Sequence, residues 1–301
     1  MTPLTRVLPV FLVILVGWLG RRAGLLPPTF QAPANRVTYY LAVPCLIFLK
    51  VSAAPFRQVF RPDWIAAALA ATALTWGAAR VAAPMLGLKH GSRATFVQAS
   101  MHSNLGYVGL AVAYYALGER GLQAAGVFAA FFVLANNLLS VLVLAGAGPR
   151  RVGAWTLLRR IALQPVIVGG LAGLFWSWFR LPLPVLASDT LAILSGMALP
   201  LALLLIGSEL DARALRHPLP VLVALGFKNL ALPALGALFL GLVGATGLER
   251  AAAVVLLASP TATITLVMAR EMGGDPALAS SAISVSTLAS ALTLPLWLAV
   301  V

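Results

Sequence analysis

Val127-Phe128-Ala129-Ala130-Phe131-Phe132-Val133-Leu134-Ala135-Asn136-Asn137-Leu138-Leu139-Ser140-Val141-Leu142-Val143-Leu144-Ala145-Gly146 runs without a single charge. At about 1.5 Å of rise per residue, a helix of this length covers roughly 30 Å, the hydrocarbon thickness of a bilayer. Lipid offers the backbone no hydrogen-bond partner, so a spanning chain is either helical or a closed barrel, and only helices use apolar runs this long. Val7 to Gly20 has the same character.

The rest of the chain agrees with that stretch. Hydrophobic residues make up 61% of the 301 and charged residues 10%, with a mean hydropathy of +0.97. A soluble domain carries roughly 25% charged residues, and a chain this poor in them could not cover a water-facing surface. The fold class is therefore an all-α polytopic membrane protein. At about 20 residues per span, ten segments are expected, near 5–20, 37–54, 64–85, 94–117, 122–146, 162–179, 190–209, 218–244, 250–270 and 277–300. The connections are short. The widest, Gly148 to Ile161, is a basic linker that divides residues 1–147 from residues 162–301.

The net charge of +13 is spread over those connections rather than gathered on one face, which fits anchoring to an anionic leaflet and argues against nucleic acid as a partner. Connections after odd-numbered segments hold Arg21, Arg22, Arg36, Lys89, Arg93, Arg150, Arg151, Arg159, Arg160, Arg213, Arg216 and Arg270. The other side holds Arg6, Lys50, Arg57, Arg61, Arg120, Arg180 and Arg250, with Arg80 and Lys228 inside spans. By the positive-inside rule both termini are expected on the outer face. The first run lacks a small-residue cleavage site and precedes Arg21 and Arg22, so it reads as a retained helix. Cys45 is the only cysteine, which leaves no disulfide within the chain and no thiolate metal centre. No cofactor or metal is implied.

Five segments per half make the second half enter the membrane in the opposite sense to the first, the arrangement of an inverted repeat. Val43-Pro44 and Leu199-Pro200 stand 156 residues apart, and Arg93-Ala94 and Arg250-Ala251 stand 157 apart. Polar and helix-breaking residues are costly inside a span, and two clusters of them occupy corresponding places. Ser100 to Gly109 interrupts the fourth segment and Ser259 to Thr265 the ninth. Pro260 removes a backbone donor, which frees the carbonyls before it and the amides after it. Freed amides at a new helix start attract carboxylate or phosphate, and Asn104 adds a neutral amide donor. The same small residues also serve close helix packing.

Of the other polar residues, Asn136 and Asn137 point to different sides of the fifth segment, one available to a site and one to a neighbouring helix. Lys228 is a counter-charge for an anion, or it snorkels, or it caps carbonyls freed near Pro233, and Arg80 is expected to snorkel. His102 is a candidate for proton coupling or a hydrogen-bonding core residue. Asp63, Glu119, Asp189, Glu209, Asp211, Glu249, Glu271 and Asp275 all fall at helix ends or in connections, which disfavours a cation pump. His102 and Ser103 lie about 100° apart on a helix, and no catalytic motif accompanies them, so an enzyme is not expected. A channel would want a ring of charges or carbonyls, and none is visible.

Several stretches together resemble the auxin efflux carrier family, the bacterial transporters related to the plant PIN auxin carriers. Asn35-Arg36, with Pro44 nine residues after Asn35, is similar to the family's second-helix start; Asn104-Leu105-Gly106-Tyr107-Val108-Gly109-Leu110 is similar to its fourth-helix motif; Pro260 to Arg270 followed by Gly273-Gly274-Asp275-Pro276 is similar to its ninth. The resemblance implies ten helices in two inverted five-helix repeats with broken helices four and nine crossed, an architecture like that of sodium/proton antiporters and bile acid transporters. It also implies a scaffold of helices 1, 2, 6 and 7, a transport domain of helices 3–5 and 8–10, elevator movement, a bacterial inner-membrane location and a homodimer. The implied cargo is a carboxylate, such as indole-3-acetate in plants and malate-like or malonate-like acids in bacteria. The substrate-binding residues expected are Asn104, Gly106, Tyr107, Asn136, Pro260, Thr261, Ala262 and Thr263, of which the resemblance itself implies Asn104 and, loosely, Asn136, with Lys228 and His102 as counter-charge or coupling groups on their own chemistry. Where the family usually has a proline after the asparagine, this chain has Ala111, so the fourth-helix break is expected to rest on Gly106 and Gly109.

Overall fold

The computed structural model describes residues 2–56, 60–145, 159, 162–211 and 218–301. Arg57, Arg150, Arg151, Arg160, Arg213, Arg216 and all of the Gly148 to Ile161 linker except Arg159 lie outside the described residues.

Proline starts many of the helices, where its missing amide and fixed φ fit the first turn. The helices are α1 Pro3–Arg22, α2 Pro28–Val37, α3 Val43–Ser52, α4 Pro62–Met85, α5 His90–Met101, α6 Leu110–Leu144, α7 Pro165–Trp178, α8 Val185–Gly196, α9 Ala198–Glu209, α10 Pro218–Leu225, α11 Leu232–Leu242, α12 Gly247–Ala258, α13 Ile264–Glu271 and α14 Pro276–Val300. Wider π turns join α2 to α3 at Thr38–Ala42, precede α6 at Leu105–Gly109, and join α10 to α11 at Gly226–Ala231. α6 folds back on itself at Gly118, whose φ of 75° suits glycine. Among the described residues, six helical stretches are long and apolar enough to cross a membrane: Pro3–Arg22, Pro62–Met85, Leu105–Leu144, Val185–Glu209, Pro218–Leu242 and Pro276–Val300.

The second helix starts at Pro28 rather than near residue 37, because Gln31, Asn35 and Arg36 are polar but still helical. The outward surface is apolar, with Leu186 81% and Leu292 70% exposed, while many Ser, Thr and Asn side chains are buried. That inversion of a soluble protein's pattern suits a lipid surround.

Two pairs of helices meet with their backbones almost touching. α1 lies on α9, where a Cβ on Gly17 would overlap the Leu204 carbonyl and one on Gly207 the Ile14 carbonyl. α3 lies on α7, where a Cβ on Gly169 would stand 2.8 Å from the Pro44 oxygen and one on Gly173 3.0 Å from the Phe48 oxygen. Against this frame pack α6 and α14, and α12 lies in turn on α6.

Candidate functional site

The α5 helix ends at Met101 because His102 turns extended, with ψ of 99°, and Asn104 is likewise out of the helical region, with ψ of 73°. The α12 helix ends at Ala258 because Pro260 has no amide to continue it and Ser259 is extended. The two breaks are bonded to each other. Asn104 N donates to the Pro260 carbonyl at 2.7 Å and Ala262 N to the His102 carbonyl at 2.9 Å, with Ser103 and Thr261 facing as an antiparallel bridge. Hydroxyls complete the pairing. Ser103 Oγ donates to the Leu257 carbonyl at 3.3 Å, and Thr261 Oγ1 donates to the Ala99 carbonyl at 2.9 Å. Both carbonyls have lost their partners four residues on, since Ser103 and Thr261 have left their helices.

These four bonds form two reciprocal sets. Adding 158 to the residue numbers of one set gives the other: 99, 102, 103 and 104 become 257, 260, 261 and 262. The pairing is symmetric but its side chains are not, because Asn104 corresponds to Ala262. Asn104 is 5% exposed. Its Oδ1 accepts from Tyr107 N at 3.3 Å, capping the turn that follows. Its Nδ2 has no partner among the described residues. A buried amide donor left open is costly, and its presence marks a place for an acceptor.

The break in the fourth segment thus lies at His102–Asn104, not at Gly106 and Gly109 as the missing proline suggested. Those glycines sit in the π turn. Gly109 is there for closeness, since a Cβ would come 2.8 Å from Leu256 Cδ2, whereas Gly106 has only Val43 Cγ1 at 3.7 Å. Three of the four ninth-segment candidates, Pro260, Thr261 and Ala262, are in the pairing; Thr263 is half-buried and starts α13. His102 is buried and its Nδ1 lies 2.8 Å from Ser140 Oγ. Asn137 bonds the Val133 carbonyl and Gln164 Oε1 of the neighbouring segment, both at 2.8 Å, while Asn136 beside it is 3% exposed. Arg80 stacks its guanidinium 4.8 Å above the Trp76 ring.

Lys228 is the one fully buried charged side chain among the described residues. It does not cap carbonyls near Pro233. Its Nζ donates to the Leu257 carbonyl at 2.6 Å, the same oxygen that Ser103 reaches. The amide that would normally hold that oxygen, Thr261 N, is turned to Ser286 Oγ at 3.0 Å. The ion pairs among the described residues are Lys50–Glu119 and Arg61–Asp63, so no carboxylate neutralises Lys228. Asn229 was missed by the sequence reading, and Asn35 was noted there only as part of a motif. Asn229, fully buried, donates to the Ser286 carbonyl, Ser290 Oγ and Thr293 Oγ1 at 3.2, 2.9 and 3.3 Å, a seam that the spacing of polar residues along the tenth segment could have revealed. Asn35 accepts from Tyr107 Oη at 2.6 Å.

A membrane-embedded set of polar groups, with an open donor, a buried lysine that no carboxylate pairs and no motif for covalent chemistry, defines a protein that handles a solute. The chain matches the family described as membrane transport protein over residues 2–148 and 149–298 and belongs to it. It is a multi-pass membrane transporter and not an enzyme. It is 31% identical to a Rhizobium meliloti protein named "Putative malonate transporter" over 299 residues, 95% of this chain and 92% of that one. It is 28% identical to an uncharacterized transporter of Methanothermobacter thermautotrophicus, covering 97% of this chain and 96% of the relative. A further uncharacterized transporter, from Methanocaldococcus jannaschii, is 27% identical over 99% and 98% of the two chains.

Proposed function

We propose that this transporter is an alternating-access carrier of small organic carboxylates, with a malonate-like dicarboxylate as the cargo to test first. The observation that carries the reading is the open Nδ2 of Asn104, buried at the paired breaks and turned to no protein acceptor. Around it the electrostatics favour an anion. The start of α13 brings the positive end of a helix beside the pairing, and the buried Lys228 nearby has no carboxylate partner. The Rhizobium relative's name supplies the dicarboxylate.

The ten-pass, two-repeat architecture belongs to the same proposal, with the chain akin to the auxin efflux carriers. Its support is the 158-residue relation among the four bonds, and the helix pairs that exchange under it. The first segment packs on the seventh as the sixth packs on the second, and the fifth on the ninth as the tenth on the fourth. The broken helices α5, α12 and α13 are each too short to span alone, which is why fewer than ten continuous spans stand out. In this reading segments 1, 2, 6 and 7 are the stationary scaffold, the others slide as an elevator, both termini lie outside a bacterial inner membrane, and the functional unit is a homodimer.

Purified protein in liposomes loaded with malonate should exchange it for labelled malonate outside, saturably and faster than net uptake. Asn104→Ala should weaken malonate binding by roughly ten- to a hundredfold, the loss of one hydrogen bond to a charged group, while eluting as the wild type does on gel filtration. If no small carboxylate exchanges or raises the melting temperature of the wild type, the carboxylate assignment is wrong. If Asn104→Ala binds malonate normally, the site lies elsewhere.

A further inference from the structure

Asn35 opens the Asn35-Arg36 stretch of the second segment, and nothing in the carrier reading so far gives it work. It lies in α2, just before the π turn Thr38–Ala42. Its Oδ1 accepts the Tyr107 hydroxyl at 2.6 Å, and Tyr107 is 7% exposed. The backbone of the same tyrosine holds Asn104 Oδ1. A line of contacts therefore runs from the open amide of Asn104 through Tyr107 to a helix of the frame. The frame end is rigid, because the helix continues into α3, whose carbonyls lie against the glycines of α7.

The other contacts across this boundary are apolar: Ala42, Val43, Leu105, Tyr107 and Val108 share one buried cluster. Gly106 has Val43 Cγ1 at ordinary van der Waals distance. Among the described residues, Tyr107–Asn35 is the one side-chain hydrogen bond joining residues 28–42 to residues 105–117. A single short bond between a buried phenol and a half-buried amide oxygen is directional, and it breaks as a unit when one partner moves past the other.

We infer that Asn35 and Tyr107 form a release clasp: their hydrogen bond holds the half-helix that carries Asn104 against the second segment, and its rupture gates movement of the loaded site. Asn35 is a positioning residue, since it reaches the ligand only through Tyr107 and Asn104. The inference rests on the carrier reading for what the movement accomplishes, while the clasp itself has a readout that needs no substrate.

Four variants test it: Asn35→Ala, Tyr107→Phe, the two combined, and Asn35→Asp, which keeps an acceptor oxygen. In malonate exchange by proteoliposomes, Asn35→Ala and Tyr107→Phe should each raise kcat about three- to tenfold, the factor expected when one net hydrogen bond is removed from the resting state alone. The double variant should go no further, because both changes cut the same bond, and Asn35→Asp should return toward the wild-type rate. KM for Asn35→Ala should stay at the wild-type value. In substrate-free protein, amide exchange across residues 105–117 should quicken in the first three variants. Additive effects of the two single changes would overturn the clasp. So would unchanged amide exchange, or an Asn35→Ala variant whose KM rises at constant kcat. If the wild type does not exchange malonate at all, the carrier reading is what fails, and the amide exchange still decides on the clasp.

Discussion

The α1–α9 and α3–α7 contacts and the pairing of the two breaks use the same economy of small and polar residues to opposite ends. In the first, glycine removes the side chain so that one helix backbone rests on the carbonyls of another, and the backbones of both helices stay internally bonded. In the second, helices give up their internal bonds and bond to each other, leaving the Asn104 amide donor without a partner. Where the fold must be stiff, polarity is sealed inside helices; where it must grip a solute, polarity is let out. The boundary between the two regions is built from side chains: a Cβ on Gly170 would meet Ala130 Cβ at 2.7 Å and one on Gly126 would meet Val51 Cγ2 at 2.9 Å. Such contacts yield more readily than backbone on backbone.

The contrast breaks most visibly at Gly207. An alanine there must push α1 away from α9, because the atom it overlaps is the Ile14 carbonyl oxygen and no rotamer relieves it. Overpacking of this kind costs about 1–3 kcal/mol, so Gly207→Ala should lower the melting temperature in detergent clearly. Gly106→Ala, with its nearest heavy atom at 3.7 Å, should leave the midpoint where it was. Equal shifts for the two would mean that the frame is no tighter than the crossing.

Lys228 sharpens the other side of the comparison. A buried ammonium without a carboxylate is expensive, and replacing it by an apolar side chain of similar length is often neutral or favourable for stability. Lys228→Met should therefore melt no lower than the wild type while binding malonate about tenfold more weakly, a loss near 1.4 kcal/mol. Titration of the purified variant by calorimetry, beside a melting curve, separates the two. A variant that melts much lower with unchanged affinity would make Lys228 a structural cap and nothing more.

Much of this was legible in the chain itself. Long apolar runs and basic connections predict helices in a membrane, and Pro260 with its neighbours marks the second break correctly to within a residue. The first break was harder to read. Glycines at 106 and 109 are the visible helix-weakeners, yet the chain opens at His102–Asn104, because the Asn104 amide and the His102 carbonyl find partners 156 and 160 residues away in Pro260 and Ala262. Local sequence carries no signal of such a bond. The same holds for Lys228, whose carbonyl belongs to α12 rather than to its own segment. The early start of the second helix was hidden by composition, since Gln31, Pro33, Asn35 and Arg36 read as a connection while the backbone there is already helical.

The smallest effect tests how far the symmetry of the pairing extends to energy. Ser103 and Thr261 make equivalent hydroxyl bonds, but their acceptors differ in what remains when the hydroxyl is gone. The Ala99 carbonyl has Thr261 Oγ1 as its one side-chain partner, whereas the Leu257 carbonyl keeps Lys228 at 2.6 Å. Thr261→Val therefore leaves a buried acceptor bare, at a cost of about 1–3 kcal/mol, and Ser103→Ala does not, so its cost should stay below about 1 kcal/mol. In a Lys228→Met background the protection disappears, and Ser103→Ala should then cost as much as Thr261→Val. Melting curves of the single and double variants read this coupling directly. Equal costs for the two hydroxyls in the presence of Lys228 would show that the ammonium does not hold the Leu257 oxygen in solution, and the asymmetry of the pairing would then rest on Asn104 alone.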